Sequence, residues 1–338
     1  ALYASFQFSK IVNAGITSVI QVMRKTVVDG SNTSGFQRTA LVARNGLIKT
    51  SEGDVRIDNI SLEEDSCRTI SEFVDGKVYH LDRLGIPLIE IGTAPDIKTP
   101  KQAKETARIL GSYLRSLPNC KRGLGTIRQD VNVSIKGGER VEVKGAQDLK
   151  QIPLLIELEM KRQEELLKLK KEVKKIKLAK LNIIDISKLL KNSTSKIIKS
   201  TFEKNGVICA IKLVGFAGFM ARELQPNYRL GTELSGRAKV IAGVGGIFHS
   251  DEMPNYGITK EEVEKIVKHL KCSKKDAFIL VADSSKRAHT ALVAVHKRIK
   301  ELYKGVPKEV RKAHADGTTR YLRPMPGASR MYPETDVP

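Results

Sequence analysis

Residues 126 to 145, TIRQDVNVSIKGGERVEVKG, constrain the fold more than any other stretch, because their character alternates with a period of two. Ile127, Val131, Val133 and Ile135 take one parity with Gln129, while Arg128, Asp130, Asn132 and Ser134 take the other. Beyond Gly137 and Gly138 the alternation resumes, with Val141 and Val143 apolar and Arg140, Glu142 and Lys144 polar. A β-hairpin follows. Residues opposite each other in a hairpin share a face, and this restricts the register. A two-residue Gly-Gly loop sets Val133 against Glu142 and mixes the faces. A three-residue loop, Gly137 to Glu139, sets Ser134 against Glu142, Asn132 against Lys144 and valine against valine. The longer loop is expected, with a glycine taking the positive φ. The polar face carries Arg128, Asp130, Asn132, Arg140, Glu142 and Lys144, and taken alone it reads as the wet side of an antiparallel sheet.

The stretches before it add acids. Strands are expected at 40 to 44, about 54 to 66, 77 to 82 and 86 to 92, broken by Gly46, Gly53, Gly76 and Gly85. The second brings Glu63 and Glu64, one on each parity. In the fourth, Glu90 stands alone in a run of Leu and Ile, where a carboxylate is costly without a cation, a metal or hydrogen bonds. A salt bridge to a buried Arg or Lys accounts for Glu90 as well as a functional role does. Residues 1 to 28 alternate only weakly, and DGSNTSGFQRT (29 to 39) is a turn-rich loop. That loop reads as a strand connection before it reads as a phosphate cradle. Thr99-Pro100 opens a helix that runs to about Ser116. A longer helix is expected from Pro153 to about Ala179, its first half amphipathic through Leu154, Leu155, Leu158 and Leu166. Its second half is a strip of lysines that includes Lys170, Lys171, Lys174 and Lys175. Such a run is a solvated face or a docking strip for a phosphate backbone.

Charge supports a polyanionic partner. Over 338 residues, 59 Lys and Arg face 38 Asp and Glu, a net charge of +21. No run of 18 apolar residues and no leader pattern is visible, so a cytoplasmic protein with no membrane partner is expected. Cys67, Cys120, Cys209 and Cys272 lie far apart without a CxxC, which argues against a zinc ribbon or a disulfide framework. With 5% aromatic residues and no tryptophan, base stacking is not the main contact.

From about residue 205 strands and helices alternate: VICAIKLVG, then TELSGRAKVIA, GGIFHSD, EEVEKIVKHL behind a Thr259/Glu262 capping box, AFILVAD and SKRAHTALVAVHKRIKELY. This reads as a small α+β sandwich. Residues 304 to 338, rich in proline, read as a return segment onto the first domain. His80 and His249 are expected to be structural, and His289 and His296 to lie at the surface or against RNA.

Glu63, Glu64, Glu90, Asp130 and Glu142 are carboxylates on neighbouring strands or strand ends, accompanied by Arg38, Arg128 and Lys144. Hard oxygen donors of this kind suit Mg²⁺ bridging protein to nucleotide phosphates. Cations beside them suit a phosphoryl group in transit. No Walker loop, kinase HRD and DFG pair, GxSxG elbow or Cys–His pairing is present.

DGSNTSGFQRT, SLEEDS, LDRLGIPLIEI, PDIKTP, RGLGTIRQDVNVSI, RVEVKGAQDL and RPMPGASRMYPETDVP closely resemble the GatB/GatE family of tRNA-dependent amidotransferase subunits. The likeness is closer to the archaeal E type than to the bacterial B type. It implies an α+β fold, an antiparallel-sheet cradle domain with an inserted small α+β domain similar to that of aspartyl-tRNA synthetases. The expected boundaries are 1–200 for the cradle, 205–302 for the insertion and 303–338 for the return. It implies phosphorylation of the glutamate of Glu-tRNA(Gln) by ATP with Mg²⁺, followed by attack of ammonia from an amidase- or asparaginase-like D subunit in a heterotetramer. Glu64, Glu90 and Glu142 are then the foremost metal ligands, with Glu63 and Asp130 next. Arg38, Arg128 and Lys144 hold phosphate, and Glu90, Arg128, Glu142 and Lys144 form the catalytic set. The family's amino-terminal GLEIHxQL-type motif and its carboxy-terminal helical and tail domains are not among these residues, so an internal fragment is expected. Two other readings stay open: a B-type subunit, and a non-catalytic tRNA-binding protein whose acids merely partner surplus Lys and Arg.

Overall fold

The computed structural model describes residues 1–73, 76–327 and 330–336. The chain divides into two compact units, one of Ala1–Gln129, Gln147–Pro153 and Pro326–Pro338, the other of Asp130–Ala146 and Leu154–Met325.

The first unit is built on two long strands. After α1 (Leu2–Ile11), β1 (Gly15–Ile16) and β2 (Val22–Thr26) come β3 (Phe36–Thr50) and β4 (Gly53–Glu64), then β5 (Arg68–Glu72), β6 (Lys77–His80), β7 (Pro87–Thr93) and α2 (Pro100–Ser116). The main sheet is antiparallel, with β2, β3, β4 and β7 side by side. β2 also pairs with the last strand of the chain, Met331–Pro333, so the closing segment adds to that edge. Phe8, Val12, Ala43, Ile48, Ile57, Ile60 and Leu117 form the core, with Ile89, Ile91, Ile109 and Leu110 packed against it. The weak alternation of residues 1 to 28 conceals α1, which buries Ala4, Ser5, Phe8 and Ser9. Small polar residues carry little apolar signal, and Ser9 satisfies its hydroxyl on Ser5 O at 2.7 Å. α2 begins as expected, Thr99 Oγ1 accepting from Gln102 N at 3.0 Å with proline in the first turn.

The second unit opens with the hairpin, β8 (Val131–Val133) and β9 (Val141–Lys144). Its register corrects the expectation by two residues: Asn132 faces Glu142, and Val131 and Val133 face Val143 and Val141. A slip of two preserves both faces, so valine still meets valine. The regular pairing ends before the loop, where Gly138 N bonds Ile135 O at 2.9 Å and Gly137 takes φ +83°.

α3 (Ile152–Val173) is shorter than expected. Beyond Val173 the chain tightens into a turn, Ile176 N bonding Val173 O, and is then tied down by Tyr303 Oη on Ile176 O at 3.0 Å and by His296 on Ala179 O at 3.2 Å. Lys174 and Lys175 therefore lie past the helix. His296 is buried there, which corrects its expected place at the surface.

The rest of the unit runs β10 (Ile183–Asp185), α4 (Lys196–Glu203), β11 (Val207–Leu213), β12 (Glu223–Gln225), β13 (Tyr228–Arg229), α5 (Leu230–Ala242), β14 (Phe248–His249), α6 (Lys260–His269), β15 (Ala277–Asp283), α7 (Ser285–Leu302), β16 (Glu309–Ala313) and β17 (Thr319–Pro324). One antiparallel sheet has the order β10-β11-β15-β14 over a core of Ile208, Ala210, Phe278 and Leu280. The Thr259/Glu262 capping box is present in full. The strand expected around GGIFHSD contracts to β14, because Ser250–Glu252 turns into a 3₁₀ helix. A second sheet has the order β17-β16-β9-β8, and in it β16 lies parallel to β9. The fold is mixed α+β with mainly antiparallel sheets.

α3 buries charge along with its leucines. Arg162, 0% exposed, bonds Glu159 at 2.9 Å, Glu233 at 2.9 Å and Glu309 at 2.8 Å. Arg298 bonds Glu233, Arg311 bonds Glu309 at 2.6 Å, and Arg237 bonds Glu309 at 2.5 Å. Burial opposes ionisation of Glu233 and Glu309, but the surrounding guanidinium groups outweigh it and hold both carboxyls below their ordinary range.

Candidate functional site

The residues singled out from the sequence fall into two groups, one in each unit. Glu63, Glu64, Glu90, Arg38 and Arg128 belong to the first, and Asp130, Glu142 and Lys144 to the second.

In the first unit the group forms where β2, β3 and β4 end together. Thr39 faces Glu63 across the ladder, which brings Arg38 beside Glu64. Arg38 N and Nη1 donate to the two oxygens of Glu64 at 3.2 and 3.3 Å. Glu63, on the reverse face and buried, is paired with Lys25. Two partners were not anticipated. Arg24 Nε donates to Glu334 Oε1 at 2.7 Å and Arg38 Nε to Glu334 Oε2 at 2.6 Å. Both guanidinium groups lie over the Phe36 ring, at 4.2 and 5.2 Å from its centroid. Hydrogen bonds from Arg24, then from Asp336 N, hold the Glu334 carboxyl down to about 2, and Glu334 in turn raises Arg24 and Arg38.

Arg128 is gripped by a carboxylate that no sequence pattern brought forward. Its Nη1 and Nη2 donate to Asp65 at 3.2 and 2.8 Å, a bidentate fork. Asp65 is itself fixed, its N–H on Ile86 O at 2.8 Å and its C=O accepting from Gly85 N at 3.0 Å. The loop before β3 is a strand connection anchored by Cys67 N on Ser31 O and by Ser66 Oγ on Asn32 Oδ1.

Glu90 requires a correction. β7 lies at the sheet edge, and its core-facing residues are Ile89 and Ile91. Glu90 takes the other parity, opposite Ser61, and is exposed rather than set inside an apolar environment. The run of Leu and Ile in the sequence hid an alternation in burial.

In the second unit the hairpin supplies a compact triad. Lys144 Nζ donates to Asp130 Oδ2 at 2.6 Å and lies 2.8 Å from Glu142 Oε1. Burial works against the Lys144 charge, but the two carboxylates outweigh it and its pKa is raised. Two carboxylates thus already converge on one cation.

Among the described residues no three His, Cys, Asp or Glu side chains are grouped as a metal cage. Mg²⁺ does not need one, since one or two carboxylates with waters and substrate phosphates usually suffice. Asp130 with Glu142, whose oxygens both reach the Lys144 ammonium, fit that requirement by donor type and by convergence. His80 is exposed beside Asp82 at 2.9 Å, and His249 is buried against Gly231. Of the lysine strip, Lys171, Lys174 and Lys175 are exposed and Lys170 is half-buried; His289 is exposed. No helix among the described residues is long and apolar enough to cross a membrane.

The family model of the GatB/GatE catalytic domain matches residues 1–338. The E subunit of glutamyl-tRNA(Gln) amidotransferase from Methanocaldococcus jannaschii is 54% identical over 340 residues, covering all of this chain and 54% of that protein. The proteins of the same name from Methanococcus maripaludis and Pyrococcus abyssi are 53% and 51% identical, again over the whole chain and 54% of each. The chain spans about half the length of these curated relatives.

Proposed function

The chain belongs to the GatB/GatE catalytic-domain family, and from that membership we propose that it carries the carboxylate-activating step of a tRNA-dependent amidotransferase. A free carboxylate does not acylate ammonia. In the proposed reaction an oxygen of the glutamyl side chain of Glu-tRNA(Gln) attacks the γ-phosphorus of ATP and ADP departs. Ammonia then attacks the acyl carbon and phosphate leaves. The acyl phosphate must be kept from water until that second attack.

The residues of both groups have work in this scheme. Arg38, Arg128 and Lys144 are the cations for phosphoryl charge, two of them held in orientation by Glu64 and Asp65. Of the oxygen donors proposed for Mg²⁺, Asp130 and Glu142 converge on one point, whereas Glu63 and Glu90 lie on the face of their sheet opposite Glu64, so those three do not share one ion; a bound Mg²⁺ would neutralise and orient the phosphates. The convergence of Asp130 and Glu142 on Lys144 Nζ is the observation that carries the reading, since it is a cation position between two acids. Ammonia comes from a partner, the amidase- or asparaginase-like D subunit of a heterotetramer. Lys170, Lys171, Lys174 and Lys175 are proposed to meet tRNA phosphates. Residues 205–302, with their alternating strands and helices, are read as the insertion similar to that of aspartyl-tRNA synthetases, and residues 1–200 as the cradle.

The test uses the full-length subunit with its partner. ATP consumption should depend on Glu-tRNA(Gln), and acyl phosphate formation should vanish in Glu142→Gln while tRNA affinity stays. Tight, salt-sensitive tRNA binding without any Mg·ATP binding would favour a non-catalytic RNA-binding protein instead.

A further inference from the structure

Glu334 lies outside every role assigned so far, yet it is the most enclosed member of its group. Its side chain is 2% exposed, against 37% for Arg38. One carboxylate oxygen takes Arg24 Nε, and also Thr335 N and Asp336 N, each at 2.9 Å. The other takes Arg38 Nε at 2.6 Å. Arg38 reaches Glu64 with a different nitrogen, Nη1. The guanidinium is therefore fixed at two points of its rigid fork. Arg24 and Arg38 stand over one aromatic ring, where two cations repel each other unless an anion lies between them.

We propose that Glu334 is a positioning residue for phosphate binding: it aims the exposed edge of Arg38 while Glu64 is held beside it, and it offsets the repulsion from Arg24. The ligand class is a nucleotide phosphate, and this inference rests on the phosphate role assigned to Arg38 under the proposed function. Seating of the segment that carries Glu334 is then a condition for Arg38 to act.

The experiment uses the full-length subunit with its ammonia-supplying partner and follows Glu-tRNA-dependent ATP hydrolysis. Glu334→Gln keeps the shape and the acceptor for the two backbone amides but loses the charge. It should raise KM for Mg·ATP about tenfold, a loss in keeping with one charge-assisted hydrogen bond, with a smaller change in kcat. Glu334→Asp should fall between Gln and wild type, and it also serves if the Gln variant does not fold. In an Arg38→Ala background the Glu334 change should add less than about twofold, because its effect passes through Arg38. Full multiplication of the two effects, or an unchanged KM in Glu334→Gln beside a raised KM in Arg38→Ala, would overturn the positioning role alone. An unchanged KM in Arg38→Ala would overturn the phosphate role of Arg38 and this inference with it.

Discussion

Arg162 and Arg38 are each held by more than one carboxylate, yet one is sealed at 0% exposure and the other keeps 37% of its side chain exposed. The sealed network of α3, α5, α7 and β16 cannot exchange partners without bringing bare charge into a low-dielectric interior. It ties α3, α5, α7 and β16 together through shared carboxylates. The half-open group at the ends of β2, β3 and β4 can exchange partners at lower cost, because the Arg38 and Glu64 side chains are partly open to solvent. Ion pairs of similar length thus differ in how freely they can exchange partners, and burial sets that difference.

The largest expected effect should come from breaking the sealed side. Glu233→Gln removes the charge that Arg162 and Arg298 share, and should lower stability by about 3–5 kcal/mol in chemical denaturation. A loss below about 1 kcal/mol would mean that the two networks do not differ as claimed. Glu64→Gln, on the open side, should cost less than about 1 kcal/mol of stability. The same change should slow tRNA-dependent ATP turnover about 100-fold.

Acid sharpens the contrast further. The Glu334 carboxyl is held at about 2 rather than 4.5, so its contribution is complete above the ordinary value and fades as pH falls from 4.5 toward 2. The protection of the Thr335 and Asp336 amides, which bond Glu334, should fall across that window when their hydrogen exchange is set against the intrinsic rate at each pH. The smallest effect belongs to the exposed lysines. Replacing Lys174 and Lys175 by alanine should reduce the salt slope of tRNA binding by about one for each phosphate no longer neutralised, and leave stability unchanged.

Alternation made the hairpin and β4 legible, and capping chemistry placed α2 and α6, but β3 runs through Gly46 for three times the length expected at 40 to 44. The register slipped by two because parity alone cannot distinguish Ser134 from Asn132 as the partner of Glu142. α1 was missed because Ser5 and Ser9 bury as well as alanine does when their hydroxyls are satisfied. At the site, acids within strands were visible, but their partners were not. Arg24 and Glu334 are 310 residues apart, and nothing local in either stretch announces the other. The buried arginines were equally hidden, since Arg162 in a Lys- and Glu-rich helix looks like any solvated residue.

That separation has a consequence for synthesis. Neither the pairing of β9 with β16 nor that of β2 with Met331–Pro333 can close while the ribosome is still translating the earlier segments. A nascent chain cannot bridge Arg24 and Arg38 until Glu334 has been added, so the two arginines stand without their shared carboxylate while the residues between them and Glu334 are being made.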